Sequence, residues 1–140
     1  MELIQEKHGA VLVLEPVGRL DTRSSQEFQQ QVVSLVDTGE RRVVVDLRKT
    51  EEMSAAGLRV LLMLSKKLES MGGGLVLCSM SDQVRKAFDV AGFVHMVVMN
   101  IEPSRAEAVT RLSADDAVAK VADRVAELLA KKDVPPGGND

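Results

Sequence analysis

The chain has 140 residues, of which 45% are hydrophobic and 28% charged, proportions that are typical of a single folded domain. Its 18 basic and 21 acidic residues give a net charge of −3, and only three residues are aromatic, so direct nucleic-acid binding is not expected. No apolar run approaches the roughly 18 residues of a membrane span, and the N-terminus lacks a basic and apolar leader, so we expect a cytoplasmic protein without membrane contact.

The first elements are a predicted hairpin and a helix. Residues 3–5 and 10–17 are apolar and β-branched in character, and Lys7-His8-Gly9 between them is typical of a tight turn. Residues 22–36 carry apolar side chains at helical spacing, and Gly39 follows as a stop signal. The pattern therefore predicts two paired strands and then an amphipathic helix.

Two strands and a helix are predicted in the middle of the chain. Residues 42–47 form a continuous apolar run, which is typical of a central strand covered on both faces. Residues 57–71 carry a broad apolar stripe and are predicted to be helical. Gly72-Gly73-Gly74 lies between this helix and a strand at residues 75–78, so we interpret these glycines as a cap and turn rather than a phosphate cradle.

One more helix and strand complete the pattern. Ser81 is predicted to cap the helix, and Gly92 to end it before a short strand near residues 96–99. Strands that alternate with helices in this way favour parallel pairing with helices packed on the sheet. The predicted fold class is therefore α/β, a single domain with a mixed, mostly parallel sheet.

The composition shifts to alanine and charged residues after Pro103. Residues 104–112 are predicted as a short helix, and Ser113-Ala114-Asp115-Asp116 as the start of a longer one. We expect a domain at residues 1–112, a C-terminal helix at 113–133 and a disordered tail at 134–140. The longer helix has one apolar face, which either docks on the domain itself or meets a partner, including a second copy in a homodimer; it consists of Val118, Val121, Val125 and Leu128.

The residues needed for catalysis or metal binding do not form a recognisable set. Cys78 is the single cysteine and is interpreted as a small buried side chain. His8 and His95, the two histidines, have no acid and nucleophile at a recognisable spacing. We therefore expect no enzyme activity, no catalytic residues, no bound metal and no cofactor.

The segment from residue 49 to residue 58 has features of a binding loop. It leaves the carboxyl end of the predicted central strand and enters a helix, which is where open α/β sheets place their functional loops. Small residues from Ser54 to Gly57 leave the first backbone N–H groups of the helix open to a partner. The alternative interpretation is structural, with Ser54 as an ordinary N-cap and Gly57 as a packing residue.

Taken together, several ordered motifs resemble the STAS domain of bacterial anti-sigma factor antagonists. The resemblance covers roughly residues 1–112, and its motifs are Gly18-Arg19-Leu20-Asp21, Val43-Val44-Val45-Asp46-Leu47, the segment from Met53 to Leu62, the strand from Gly73 to Cys78, the segment from Val84 to Phe88, and Gly92-Phe93. The resemblance implies a protein that is not an enzyme. It would bind an anti-sigma factor, often a serine kinase, and so release a sigma factor for transcription.

The family motif at the start of the second helix places a phosphorylatable serine before a small residue and Gly-Leu. Ser54 occupies the position before the acceptor, Ala55 the acceptor position and Ala56 the next one, and Gly57-Leu58 complete the motif. Because alanine accepts no phosphoryl group, regulation at this position is not expected, and the chain would stay in its binding form. The alternative is that Ser54 accepts the phosphate instead.

The resemblance also implies a partner-binding surface, because Asp21 matches an acidic residue that lies beside the phosphoacceptor in the family's fold. The expected surface consists of Asp21, Thr22, Ser24, Met53, Ser54, Ala55, Ala56, Gly57 and Arg59. Two other functions stay open at this stage: a scaffold role in a larger signalling assembly, and the sensing of a small ligand.

Overall fold

A computed structural model of the chain describes residues 1–91 and 100–132. Seven strands and four helices follow one another in this part of the chain. In order they are β1 (Leu3–His8), β2 (Val11–Pro16), β3 (Gly18–Leu20), α1 (Thr22–Asp37), β4 (Arg42–Asp46), β5 (Thr50–Met53), α2 (Ala55–Ser70), β6 (Gly74–Cys78), α3 (Asp82–Ala91), β7 (Asn100–Glu102) and α4 (Arg105–Lys132). None of these helices is long and apolar enough to cross a membrane.

The main sheet has five strands in the order β1-β2-β4-β6-β7. The hairpin β1-β2 is antiparallel, as predicted, and the other three pairs are parallel. The central position of β4 is also confirmed. The structure thus confirms the α/β fold class with a mostly parallel sheet.

The continuous apolar runs of the strands reflect burial on both faces of the sheet. In β4, Val43 and Val45 belong to the core cluster that also holds residues of α1, α2 and α3, including Phe28, Leu61 and Phe88. Val44, between them in sequence, belongs to a second cluster with residues of α4. Since successive side chains of a strand alternate between faces, helices on both sides require both sets to be apolar.

A second, two-stranded sheet was not predicted from the sequence. The strands β3 and β5 pair in parallel, with Leu20 opposite Met53. The strand β5 lies in the segment that we predicted to be a binding loop, and no strand was predicted at residues 18–20. The two strands are three and four residues long, and their inner residues are exposed, so no apolar run marks them.

The predicted cap of α3 lies within the described residues, and the strand predicted after α3 does not. Ser81 caps α3, because its Oγ accepts a hydrogen bond from the N–H of Val84 at 3.2 Å, as predicted. Gly92 and the strand predicted near residues 96–99 lie outside the described residues, as does the tail at 134–140. The last strand of the sheet is β7, which follows directly after that gap and pairs with β6.

The predicted helix start at Ser113 is wrong, because α4 runs without a break from Arg105 to Lys132. The start signal lies nine residues earlier. Ser104 Oγ accepts a hydrogen bond from the N–H of Glu107 at 3.3 Å and donates one to the Glu107 carboxylate at 3.2 Å, so Ser104 acts as the N-cap. No glycine or proline follows before Lys132, so nothing in the sequence interrupts the helix.

Only the first part of α4 packs on the sheet. Ala108 and Leu112 are buried against the face opposite α1 and α2. Asp116 forms an ion pair with Arg42 of β4 at 3.3 Å. Beyond Asp116 the large apolar side chains of the helix are exposed, so docking of this face on the domain itself is not observed.

Candidate functional site

The small sheet brings two distant loops together at one edge of the molecule. Leu20 ends β3 opposite Met53, which ends β5. The N–H of Ser54 donates a hydrogen bond to the carbonyl of Leu20 at 2.9 Å. Asp21 and Ser54 therefore follow directly from paired residues, and the helices α1 and α2 begin next to each other.

Asp21 is the N-cap of α1. Its carboxylate accepts a hydrogen bond from the N–H of Ser24 at 2.9 Å, and its own N–H donates to Ser24 Oγ at 2.9 Å. This capping box holds the exposed carboxylate in place at the helix entrance. The backbone hydrogen bond from Ser24, followed by the side-chain bond from the same residue, lowers the pKa of Asp21 from its ordinary value.

Ser54 is the N-cap of α2, and small residues follow it. Its Oγ accepts a hydrogen bond from the N–H of Gly57 at 3.2 Å. Ala55, the first residue of the helix, is exposed, whereas Gly57 is buried against β3 and β5. The entrance of α2 therefore presents a methyl group and unblocked backbone to solvent rather than a long side chain.

The two caps lie along a groove of about 530 Å³, whose third wall is α3. From α3 the groove receives Gln83, Lys86, Ala87 and Val90. Val90 is 81% exposed. At the rim, Arg19 and Glu52 form an exposed ion pair at 3.6 Å. The groove thus offers an apolar floor with charged groups at its border.

The model of the STAS domain family matches residues 2–108. The chain belongs to the STAS domain family. It is 36% identical over 94 residues to BtrV of Bordetella bronchiseptica, which is assigned as an anti-sigma factor antagonist; the match spans 67% of this chain and 81% of that protein.

Solved structures share the fold of this STAS domain. A protein from Thermotoga maritima, assigned as an anti-sigma factor antagonist, superposes with a TM-score of 0.73 at 19% identity, covering 79% of this chain and 94% of that one. The anti-sigma factor antagonist SpoIIAA in its unphosphorylated form gives 0.68 at 20% identity, covering 81% and 97%. At these identities the likeness concerns the fold alone.

Four residues that the sequence singled out line the groove of the STAS domain: Asp21, Met53, Ser54 and Ala55. The others take different places. Ser24 is the capping partner of Asp21, and Thr22 and Arg59 are exposed beside the groove lining. Ala56 is half-buried and Gly57 is buried in the first turn of α2. The structure therefore brings the two predicted loops together, as the resemblance implied.

The wall from α3 was missed by the sequence analysis. Lys86 and Val90 lie more than thirty positions after Ser54, and no local motif links them to it. One weak signal is present in the sequence: Val90 is an apolar residue that falls outside the helical face of the buried Val84 and Phe88. The proximity of α3 to β5 depends on the tertiary fold.

Within residues 1–91 and 100–132, no group of three or more His, Cys, Asp or Glu side chains is arranged to hold a metal ion. Cys78 is buried in the sheet beneath α4. Burial raises the pKa of its thiol to about 11, so the side chain is a neutral thiol at physiological pH and a poor nucleophile.

Proposed function

We propose that this STAS domain is an anti-sigma factor antagonist that binds an anti-sigma factor at the groove and so releases a sigma factor. One observation carries the proposal: Asp21, Ser54 and Ala55 meet at a single open groove, on the sheet face opposite α4. The names of the relatives support the same role. The role is one of binding in the cytoplasm, without catalysis.

We further propose that the groove is permanently ready for binding. Ala55 lies exposed at the entrance of α2 and has no hydroxyl group to accept a phosphoryl group. Ser54 is half-buried, and its Oγ already serves as the acceptor for the Gly57 N–H. Charge added at Ala55 would enter the groove that Asp21 also lines, within the proposed interface.

Calorimetry with the anti-sigma factor tests this surface. The partner is first captured from cells on the full chain and identified by mass spectrometry, which also measures phosphate on Ser54. Ala55→Asp is expected to weaken binding at least about thirtyfold, because it places an unpaired charge at the interface centre. The fold should persist, since an acidic residue suits the first turn of a helix.

Ala10→Asp is the matched control for that variant. Ala10 is exposed in the β1-β2 turn, at the amino end of the parallel strands and away from the groove. The variant Ala10→Asp introduces the same charge as Ala55→Asp, and it should bind the anti-sigma factor like the unmodified chain. Equal affinities for Ala55→Asp and Ala10→Asp would remove the groove from the interface.

The nature of the partner can be tested with a second substitution. If the anti-sigma factor is a serine kinase, Ala55→Ser should restore the missing acceptor, and phosphate should then appear on residue 55 in the presence of the partner and ATP. The unmodified chain is the control and should stay unlabelled there. A partner that leaves Ala55→Ser unphosphorylated is not the kinase type that the resemblance implies.

A further inference from the structure

The second half of α4 exposes a row of apolar side chains that we call the seam: Val118, Val121, Val125 and Leu128. These residues are between 48% and 68% exposed, and Leu129 beside them is 55% exposed. Their spacing of three, four and three residues is that of the a and d positions in a coiled coil. Such spacing is typical of a helix that pairs with another helix.

The seam is directed away from the sheet. Val121 follows the buried Leu112 by nine residues, which is two and a half helical turns, so the two lie on opposite sides of α4. The charged side chains of this segment lie on a separate strip, which consists of Asp116, Lys120, Asp123, Arg124 and Glu127. Helices in proteins are stabilised mainly by packing of their apolar face. This segment of α4 would therefore be stabilised if another surface covered the seam.

We propose that the seam pairs with the seam of a second copy of this chain, with the two helices antiparallel. The pattern is self-complementary about Asp123. In an antiparallel pair centred there, Val118 faces Leu128 of the other copy and Val121 faces Val125, so each apolar residue meets another one. A two-fold interface of this kind uses the same residues twice and closes at the dimer.

The charges at the two ends of the segment favour the antiparallel arrangement. In the sequence, the exposed Asp115 precedes the seam, and Lys131 and Lys132 follow it. Antiparallel pairing places the acidic end of one copy near the basic end of the other, and a parallel pair would join like charges at both ends. Complementary charges of this kind set orientation more than affinity.

The surface area that two seams can bury determines the affinity expected for the dimer. Ala117 and Ala122 flank Val118 and Val121, and their short side chains let two helices approach closely. With these flanks, two seams bury on the order of 1,000 Å² in total, which is at the low end for a specific interface. We therefore expect a reversible dimer with a dissociation constant in the micromolar range.

Sedimentation velocity of the full chain over a range of concentrations tests the dimer. The unmodified chain should change from monomer to dimer as its concentration rises through the micromolar range. Val121→Asp and Val125→Asp should each raise the dissociation constant at least about tenfold, because they place a buried charge in the seam. Circular dichroism verifies that both variants are folded.

Val90→Asp is the control, since Val90 is an exposed valine on another helix, α3, at 81% exposure against 63% for Val121. It should dimerise like the unmodified chain. A chain that stays monomeric to several hundred micromolar overturns the proposal. So does a dimer that Val121→Asp leaves intact, or an assembly larger than a dimer.

Cysteine crosslinking tests the orientation. Cys78 is buried, so under mild oxidation only introduced thiols should react. In an antiparallel pair the double variant Val118→Cys/Leu128→Cys should form a covalent dimer, and Val118→Cys alone should not, because residue 118 of one copy lies far from residue 118 of the other. Crosslinking of the single variant overturns the antiparallel arrangement.

Discussion

Gly57 lies where α2 packs closely against β3. A Cβ atom at this position would be 2.7 Å from Met53 Sδ, 3.1 Å from Leu20 Cβ and 3.2 Å from the carbonyl oxygen of Leu20. The Met53 side chain can move, but the backbone of β3 cannot move without disturbing the hydrogen bond from Ser54. The absence of a side chain at residue 57 therefore sets how the two proposed binding loops meet.

Gly57→Ala should lower the free energy of unfolding by about 1–3 kcal/mol, because the added methyl group overpacks this contact. Chemical denaturation measures the loss. Gly74→Ala is the matched control, since a Cβ there would make only an ordinary contact of 3.6 Å with Leu112. Equal stability of Gly57→Ala and the unmodified chain would show that α2 has room to shift.

The ionisation of Asp21, at the proposed site, makes the stability of the fold depend on pH. In the folded chain the pKa of the Asp21 carboxyl group lies below the ordinary value of 3.8, and the largest cause is the backbone hydrogen bond from Ser24. The ionised carboxylate thus stabilises the fold above about pH 3.8, and this contribution is lost as the pH falls through the folded-state pKa. At neutral pH it is fully present.

The variant Asp21→Asn isolates this effect, because asparagine also caps helices but does not titrate. The stability difference between the unmodified chain and Asp21→Asn should be constant near neutral pH and should shift against the unmodified chain on acidification below the ordinary pKa of aspartate. Urea denaturation at a series of pH values gives this difference. A difference that does not change with pH would mean that the capping bond leaves the carboxyl pKa unaltered.

The entrance residues show which parts of the site a sequence can specify. Ser54 and Asp21 each precede a helical pattern and are good capping residues, so local chemistry places them at helix starts. Their juxtaposition came from the family resemblance, because it depends on the pairing of β3 with β5. Val90 and Lys86 reach the groove only through the packing of α3, which no local pattern specifies.

At the scale of elements, α4 is anchored by one arginine at its first position. Arg105 Nε donates to Asp46 Oδ2 at 2.8 Å, and its Nη2 donates to Glu15. Both carboxylates are almost wholly buried at the carboxyl ends of β4 and β2. The helix is thus held to the sheet by a guanidinium that bridges two buried carboxylates.

Arg105→Met should cost about 2–4 kcal/mol of stability, because it leaves Asp46 without its counter-ion. Arg48 and Lys49 stay near Glu15 at 3.8 and 3.7 Å and limit the loss. Arg111→Met, on the same helix, removes an exposed ion pair with Glu102 and should cost no more than about 1 kcal/mol. Thermal or chemical unfolding compares the two, and similar losses would contradict an anchoring role for Arg105.

The elements also differ in how far they could be predicted. The strands β2, β4 and β6 are marked by continuous apolar runs, and α1 to α3 by apolar residues at helical spacing, whereas β7 lies outside the segment where the last strand was predicted. The strands β3 and β5 are short and half-exposed, so their pairing leaves no pattern. For α4, the acidic residues Asp115 and Asp116 suggested the first turn of a helix, where acidic side chains are favourable. In the structure they lie inside the helix, and Asp116 forms an ion pair with Arg42 instead.

At the scale of the whole molecule, the groove and the seam belong to opposite sides of the sheet. The groove lies at the starts of α1 and α2, and the seam extends from the part of α4 that packs on the other face. Substitutions in one surface should therefore leave the other unchanged. Ala55→Asp should dimerise normally, and Val121→Asp should bind the anti-sigma factor with unaltered affinity per chain; a large effect of either variant on the other process would show that the surfaces are coupled.

The continuity of α4 has a consequence for how the protein meets its target. A helix that is fixed to the sheet at Arg105 and joined to a second copy beyond Asp116 would hold two grooves at a set separation, both facing outward. A target with two sites would then encounter the second groove at a high effective concentration once the first is occupied. A dimer that binds through both grooves can stay on its target far longer than a single groove can. This gain would be lost on dilution, because dilution dissociates the dimer.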